Sequence, residues 1–155
     1  MRKFGNRLRL RVSGLCIDAH GILLVRHRSL GGEGVLWAPP GGGMQYGWSA
    51  EQNLVREFRE ETGLEIEVKD FVCTHEFLQP PLHAVELFFN VKITGGALRK
   101  GVDPEMSSDT QIIDEVRFVP FAEIEQGPPA QYHNILGICS DLSKIQDLRG
   151  YFIWS

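Results

Sequence analysis

Polar and apolar residues alternate over "RLRLRV", with Arg7, Arg9 and Arg11 on one side and Leu8, Leu10 and Val12 on the other. That period of two predicts a strand. "GLCIDAHGILLVRHR", residues 14–28, reads as two apolar strands around the turn "DAHG". "SLGGEGVLWAPPGGG", residues 29–43, reads as a glycine- and proline-rich loop. The period then changes. Leu54, Val55 and Phe58 form an apolar stripe that predicts a helix from about Ala50 to Thr62. Ser49 is its N-cap, Gln52 completes a capping box, and Gly63 suits the left-handed position past the helix end.

Beyond the helix, "LEIEVKDFVCTHEFL" and "HAVELFFNVKITGG" read as strands, the second apolar enough to be central. "ALRKGVDPEMSSDTQ" reads as a long polar loop and "DEVRFVPF" as another strand. After Pro128 and Pro129, Tyr132, Ile135, Leu136 and Cys139 recur at i, i+3, i+4 and i+7, which predicts a second helix. "YFIWS" is a short strand or a docked tail. Strands with two helices and no βαβ alternation imply an α/β fold, a mixed sheet with flanking helices. No linker or repeat is visible, so residues 1–155 are expected to form a single domain.

Composition narrows the chemistry. A formal net charge of -4 gives no global attraction to nucleic acid or to an anionic membrane. The three cysteines, Cys16, Cys73 and Cys139, are far apart and sit in apolar runs. They read as buried thiols, with no disulfide framework and no zinc spacing. No signal core and no apolar stretch of spanning length is present, so a soluble, cytoplasmic setting is expected.

Within "GGGMQYGWSAEQNLVREFREETGL", residues 41–64, the helix carries Glu57, Glu60 and Glu61 close to its C-terminus. At about 100° per residue, Glu61 lies about 40° and Glu60 about −60° from Glu57, beside the stripe of Leu54, Val55 and Phe58. Arg59 points to solvent, and Arg56 lies one turn before Glu60, within pairing reach. The three acids repel one another where the helix dipole disfavours anions by about 0.3–1 kcal/mol each. Two readings fit: a solvated acidic face with scattered ion pairs, or a site for a hard divalent cation such as Mg²⁺. The border with the apolar stripe and the glycine-rich lead-in favour the cation.

The same residues resemble the Nudix box: Gly, five residues, Glu, seven residues, then Arg-Glu-apolar-x-Glu-Glu-x-Gly-apolar. Gly42, Arg56, Glu57, Phe58, Glu60, Glu61, Gly63 and Leu64 fall in place, and "LWAPPGG" is similar to the usual lead-in. Trp48 stands where the family has its first glutamate. The resemblance implies a Nudix-type α/β/α sandwich with a loop-helix-loop metal site. It implies hydrolysis, with Mg²⁺ (or Mn²⁺), of a nucleoside diphosphate linked to a further group. Glu57, Glu60, Glu61 and the carbonyl of Gly41 would hold metal. Arg56 would orient a glutamate, and Glu57 would be the base.

An ADP-ribose or nucleotide-sugar substrate is favoured because the long loop after residue 96 leaves room for a second moiety. The alternative is a Nudix-fold nucleotide-binding or regulatory module of weak or no activity, which Trp48 favours. Trp48 itself reads as a weak hydrophobic staple toward Asn53, or instead as packing beside the loop or stacking on a substrate base, with packing favoured. The resemblance also implies a further acid, which many members of that family add to the metal site from the loop before the last core strand. Glu105, Asp109, Asp114 and Glu115 are available there, without spacing to choose between them. Arg26, Trp48, Glu86, Glu105 and Asp109 are the candidates for substrate contact. His83 and Glu86 fall on opposite faces of one strand. Arg7, Arg9 and Arg11 are expected to lie on a solvated or dimer-facing edge strand, so a homodimer is open to the chain.

Overall fold

The computed structural model describes residues 5–29, 34–100 and 111–155. The strands are β1 (Arg7–Leu15), β2 (Ile17–Asp18), β3 (Gly21–Ser29), β4 (Val35–Ala38), β5 (Gly41–Gly43), β6 (Leu64–Gln79), β7 (Leu82–Gly96), β8 (Gln111–Val119) and β9 (Gly150–Trp154). The helices are α1 (Ala50–Thr62) and α2 (Phe121–Gln126), and three 3-10 turns lie between α2 and β9. The larger sheet is mixed, in the order β5-β1-β7-β6-β9, with β1 parallel to β7 and β6 parallel to β9. In the smaller sheet β3 is the hub, antiparallel to β2, β4 and β8.

Alternation along the strands sorts the core into two layers. Val12, Cys16 and Leu23 point to α1 and pack with Leu54, Phe58, Leu64 and Ile66. Leu15, Ile22, Leu24, Cys73 and Phe88 point the other way, onto Ile124, Ile135, Leu136, Leu142 and Ile145 of the C-terminal segment. The result is an α/β/α sandwich. Gly14 is required by this packing, because a Cβ there would come within 2.6 Å of the Phe58 ring.

The ends of α1 follow their local chemistry. Ser49 accepts from the Gln52 N–H, and the Gln52 side chain accepts from the Ser49 N–H. Gly63 adopts φ 77°, and its N–H bonds the Arg59 carbonyl. Strand β7 is central, as its apolar run predicts. Burial pushes the thiols of Cys16 and Cys73 up to about 11, consistent with inert core cysteines.

Three expectations are corrected. The stretch 29–43 is not simply a loop, because β4 pairs with β3 and β5 pairs with β1. Its glycines hide the strand signal, which comes from the partners' backbones. The segment after Pro129 is not an α-helix. Its bonds run from i to i−3, from Leu136 N–H to the His133 carbonyl and from Ile138 N–H to the Ile135 carbonyl. The His133 N–H is taken by the Trp37 carbonyl, which pins this chain to β4. Ile135 and Leu136 are nevertheless buried, so the periodicity marked the right core residues with the wrong helix type. Finally, β1 is an edge strand only in part: β7 lines one side over its whole length, and β5 covers the other from Arg11 to Ser13.

Candidate functional site

Strand β5 runs beside β1, and the following loop leads directly into α1. Gly42 lies opposite Val12 on the α1 side of the sheet, and a Cβ there would meet the Glu57 carboxyl carbon at 2.5 Å. The absence of a side chain is what seats Glu57 against the loop backbone. The Gly41 N–H donates to Glu61 Oε1 at 3.0 Å. Glu57 and Glu61 are each 1% exposed, whereas the Glu60 side chain is 30% exposed. Arg56 is shared: Nη2 lies 3.2 Å from Glu57 Oε1, and Nη1 lies 3.5 Å from Glu60 Oε2. Glu60 Oε2 is itself buried and accepts no hydrogen bond.

This donor set suits a hard cation. Carboxylates are costly to bury, by several kcal/mol each, unless charge and hydrogen bonds compensate. Three of them within little more than one turn of α1, with a glycine cradle behind Glu57, offer oxygen donors of the kind Mg²⁺ accepts. A solvated acidic face would not bury Glu57 and Glu61.

A residue that the pattern of the chain underrates completes the site. Asn53 is fully buried. Its amide donates to the carbonyls of Trp48 and Ser49, and its Oδ1 accepts from Gln45 N–H and from Arg56 Nη2. The predicted staple is therefore absent, and a polar clamp from loop to Arg56 replaces it. The available signal was a polar residue adjoining the apolar stripe. Trp48 is 48% exposed, and its ring centroid lies 6.0 Å from Arg56 Cζ.

The other candidates lie elsewhere. Arg26 and Arg28 both donate to Asp114, which is in β8 and not in a loop. Glu115 pairs with Arg117. Glu105 and Asp109 lie outside the described residues. Arg59 forks onto Glu65 at the surface. His83 meets Glu76, which also accepts from the Tyr151 hydroxyl.

Glu86 lies on the face of the sheet away from α1, 5% exposed. Ser13 donates to its Oε2, Arg11 Nε stands 3.6 Å away, and His133 Nε2 is 2.8 Å from its Oε1. Burial alone would raise the Glu86 carboxyl, but His133, Arg11 and the Ser13 hydroxyl outweigh it and hold it well below the carboxylate range. His75, Glu86 and His133 bring one ligand atom each within 4.8 Å of one another. The histidine tautomer argues against a metal there. His133 Nδ1 accepts the Ile135 N–H, so Nε2 carries the proton and donates to Glu86. A ligating histidine has the reverse need, a proton on the nitrogen away from the metal.

The model of the NUDIX domain matches residues 7–136. The chain belongs to the Nudix family. An ADP-ribose pyrophosphatase of Methanocaldococcus jannaschii is 32% identical over 94 residues, which are 59% of this chain and 55% of that protein. The chain spans about half the length of the curated relatives it matches. Among solved structures, a Nudix hydrolase from Nitrosomonas europaea superposes with a TM-score of 0.65 at 17% identity, covering 80% of this chain and 84% of that one. An ADP-ribose pyrophosphatase from Streptococcus suis gives 0.59 at 20% identity, covering 93% and 98%. These likenesses carry the fold. Nudix hydrolases generally use divalent metals, and the α1 carboxylates are the donor set that suits one. Among the described residues, no helix is long and apolar enough to cross a membrane.

Proposed function

We propose that this Nudix chain is a Mg²⁺-dependent pyrophosphohydrolase that cleaves the diphosphate bond of a nucleoside diphosphate linked to a second group, of the ADP-ribose or nucleotide-sugar type. The observation that carries the reading is the burial of Glu57 and Glu61 against the glycine strand β5, which has no room for a side chain at position 42. The ADP-ribose preference draws on the named activity of the archaeal relative. Glu57, Glu60, Glu61 and the Gly41 carbonyl are the residues proposed to hold the ion. When bound, Mg²⁺ (or Mn²⁺) screens the diphosphate charge and makes a bound water more acidic.

The chain's own residues do the rest. Glu57 takes the proton from the water whose oxygen attacks phosphorus, and the bridging P–O bond breaks with its electrons on the departing phosphate. Arg56 holds Glu57 and Glu60 in register, and Asn53 fixes Arg56 to the loop. We place the activity in one domain spanning residues 1–155, working in the cytoplasm on a small nucleotide derivative, with no role for nucleic acid.

The test is a panel of ADP-ribose, nucleotide sugars and nucleoside triphosphates with Mg²⁺, read by chromatography of the products. Release of AMP and ribose 5-phosphate from ADP-ribose is the expected result. Tight binding of a nucleotide with no cleavage anywhere in the panel would instead mark a nucleotide-sensing module, the reading that Trp48 in place of a carboxylate favours.

A further inference from the structure

Resting on the reading of α1 as the metal-bearing helix, we propose that Trp48 is a positioning residue: its ring covers Arg56 and presses the guanidinium onto Glu57 and Glu60. Three observations meet at this point. The Trp48 ring centroid is 6.0 Å from Arg56 Cζ, within cation–π range. Arg56 Nε is buried and has no hydrogen-bond partner. The Arg56 side chain is 15% exposed, so water does not take over that role.

A buried N–H of a guanidinium without an acceptor is unfavourable, and the arrangement persists only if something else holds the group. Position 48 is where the family pattern has a carboxylate, which would be a natural acceptor and counter-charge for such a group. Trp48 offers a π face instead. It attracts the cation without competing for its N–H groups, so Nη2 stays bonded to Asn53 while the guanidinium charge stays beside Glu57 and Glu60. Trp48 thereby acts on the metal carboxylates through Arg56 and touches neither metal nor substrate. Trp48 itself lines a groove of about 330 Å³ with Glu51, Gln52, Val55, Arg56 and Arg59. The alternative role, stacking on a substrate base in that groove, is an outcome of the test below.

The loop does not depend on the ring. Asn53 ties Gln45, Trp48 and Ser49 by their backbones, so Trp48→Ala leaves the loop in place, as a thermal melt close to the parent's would verify. The direct readout is the Arg56 side-chain Nε–Hε resonance in ¹⁵N-labelled protein, identified by its loss in Arg56→Lys. In the parent it should lie upfield, shifted by the indole ring, and exchange slowly with water. Trp48→Ala should return it to the ordinary arginine position with fast exchange, and Trp48→Phe should keep most of both effects. With ADP-ribose as substrate, kcat of Trp48→Ala should fall by about tenfold while KM changes by less than about twofold, the signature of an interaction not spent on substrate binding. Trp48→Phe should recover kcat to within about threefold of the parent.

An Arg56 resonance that ignores the loss of the ring overturns the proposal. A change confined to KM also overturns it and assigns Trp48 to substrate stacking. If no substrate is cleaved, the hydrolase reading fails by itself. The resonance, together with Mn²⁺ titrations of parent and Trp48→Ala without substrate, still decides the role of Trp48. Weaker Mn²⁺ binding by the variant is expected, and equal binding counts against positioning.

Discussion

Two groups of buried carboxylate face opposite sides of the same sheet. Glu86 looks away from α1 into a closed set of donors: the Ser13 hydroxyl, the His133 ring N–H and the Arg11 guanidinium. Glu57, Glu60 and Glu61 lie on α1, where two of the three share Arg56 and Glu60 Oε2 accepts no hydrogen bond. Both groups paid a desolvation cost, since Glu57, Glu61 and Glu86 are all at most 5% exposed. The first recovers it within the protein, through donors built to fit one carboxylate. The second crowds like charges at a helix C-terminus, an arrangement that an added cation improves. Burial alone therefore does not tell the two groups apart; the like charges crowded beside each carboxylate of α1 do.

The comparison is most exposed to substitution on α1. Glu61→Gln or Glu60→Gln should lower turnover by roughly 10²–10⁴-fold, the scale of a lost catalytic acid–base or metal-holding group. Apo stability should stay level or rise, because a like-charge repulsion disappears. Thermal melts without metal check this, and a large apo destabilisation in both variants would make these glutamates structural like Glu86.

The mirror experiment is Glu86→Gln. It removes the charge that faces Arg11 and places an amide where Ser13 and His133 both donate, so we expect about 1–3 kcal/mol of destabilisation in urea unfolding. Turnover of the folded fraction should change far less than in Glu61→Gln. Equal loss of turnover in the two variants would erase the distinction between the faces.

A smaller effect is expected from metal linkage. Millimolar Mg²⁺ or Mn²⁺ should stabilise the parent by about 1–2 kcal/mol, a few degrees in the melt, rising with concentration. Glu86→Gln should keep that increment and Glu61→Gln should lose most of it. A melt that no divalent ion moves would remove the main support for the α1 site.

A test of comparable size concerns His27, on which the Arg11 charge that serves Glu86 also bears. Burial first, and the Arg11 charge second, lower the His27 pKa to about 4, with Asp114 opposing. Between about 4 and the ordinary 6.5 the unfolded chain binds a proton that the folded chain refuses, so stability rises with pH across that window. Acidifying from pH 7 to 4.5 should cost up to about 2–3 kcal/mol through His27. His27→Gln should flatten most of that slope in urea titrations at stepped pH. The remainder belongs to His75, lowered by burial and then by His133. Below about pH 4 a different loss begins, as Glu86 and Asp114, both held below their usual values, take up protons.

The sequence by itself determined whatever depends on neighbours a few residues away. The limits of α1, its capping box, the left-handed Gly63 and the shared patch of Glu57, Glu60 and Glu61 all follow from spacing along one helix. The central place of β7 was also legible, because its apolar run from Ala84 to Phe89 marks a strand with neighbours on both sides. The box motif carried the family, and the match over residues 7–136 agrees. What depends on distant partners was not legible. Glycines 41–43 form a strand because β1 offers its edge, and glycine has no propensity that would announce it. The segment around His133 is wound as 3-10 turns because Trp37 claims its backbone N–H and Ile135 donates to its ring. Glu86 gathers donors from positions 11, 13 and 133, a set no local pattern could assemble. Trp48 meets Arg56 only after Asn53 has folded the loop back onto the helix. Local chemistry fixes an element and the chemistry that element can offer; which groups end up buried together is set by chain crossings, whose energies belong to pairs far apart in sequence.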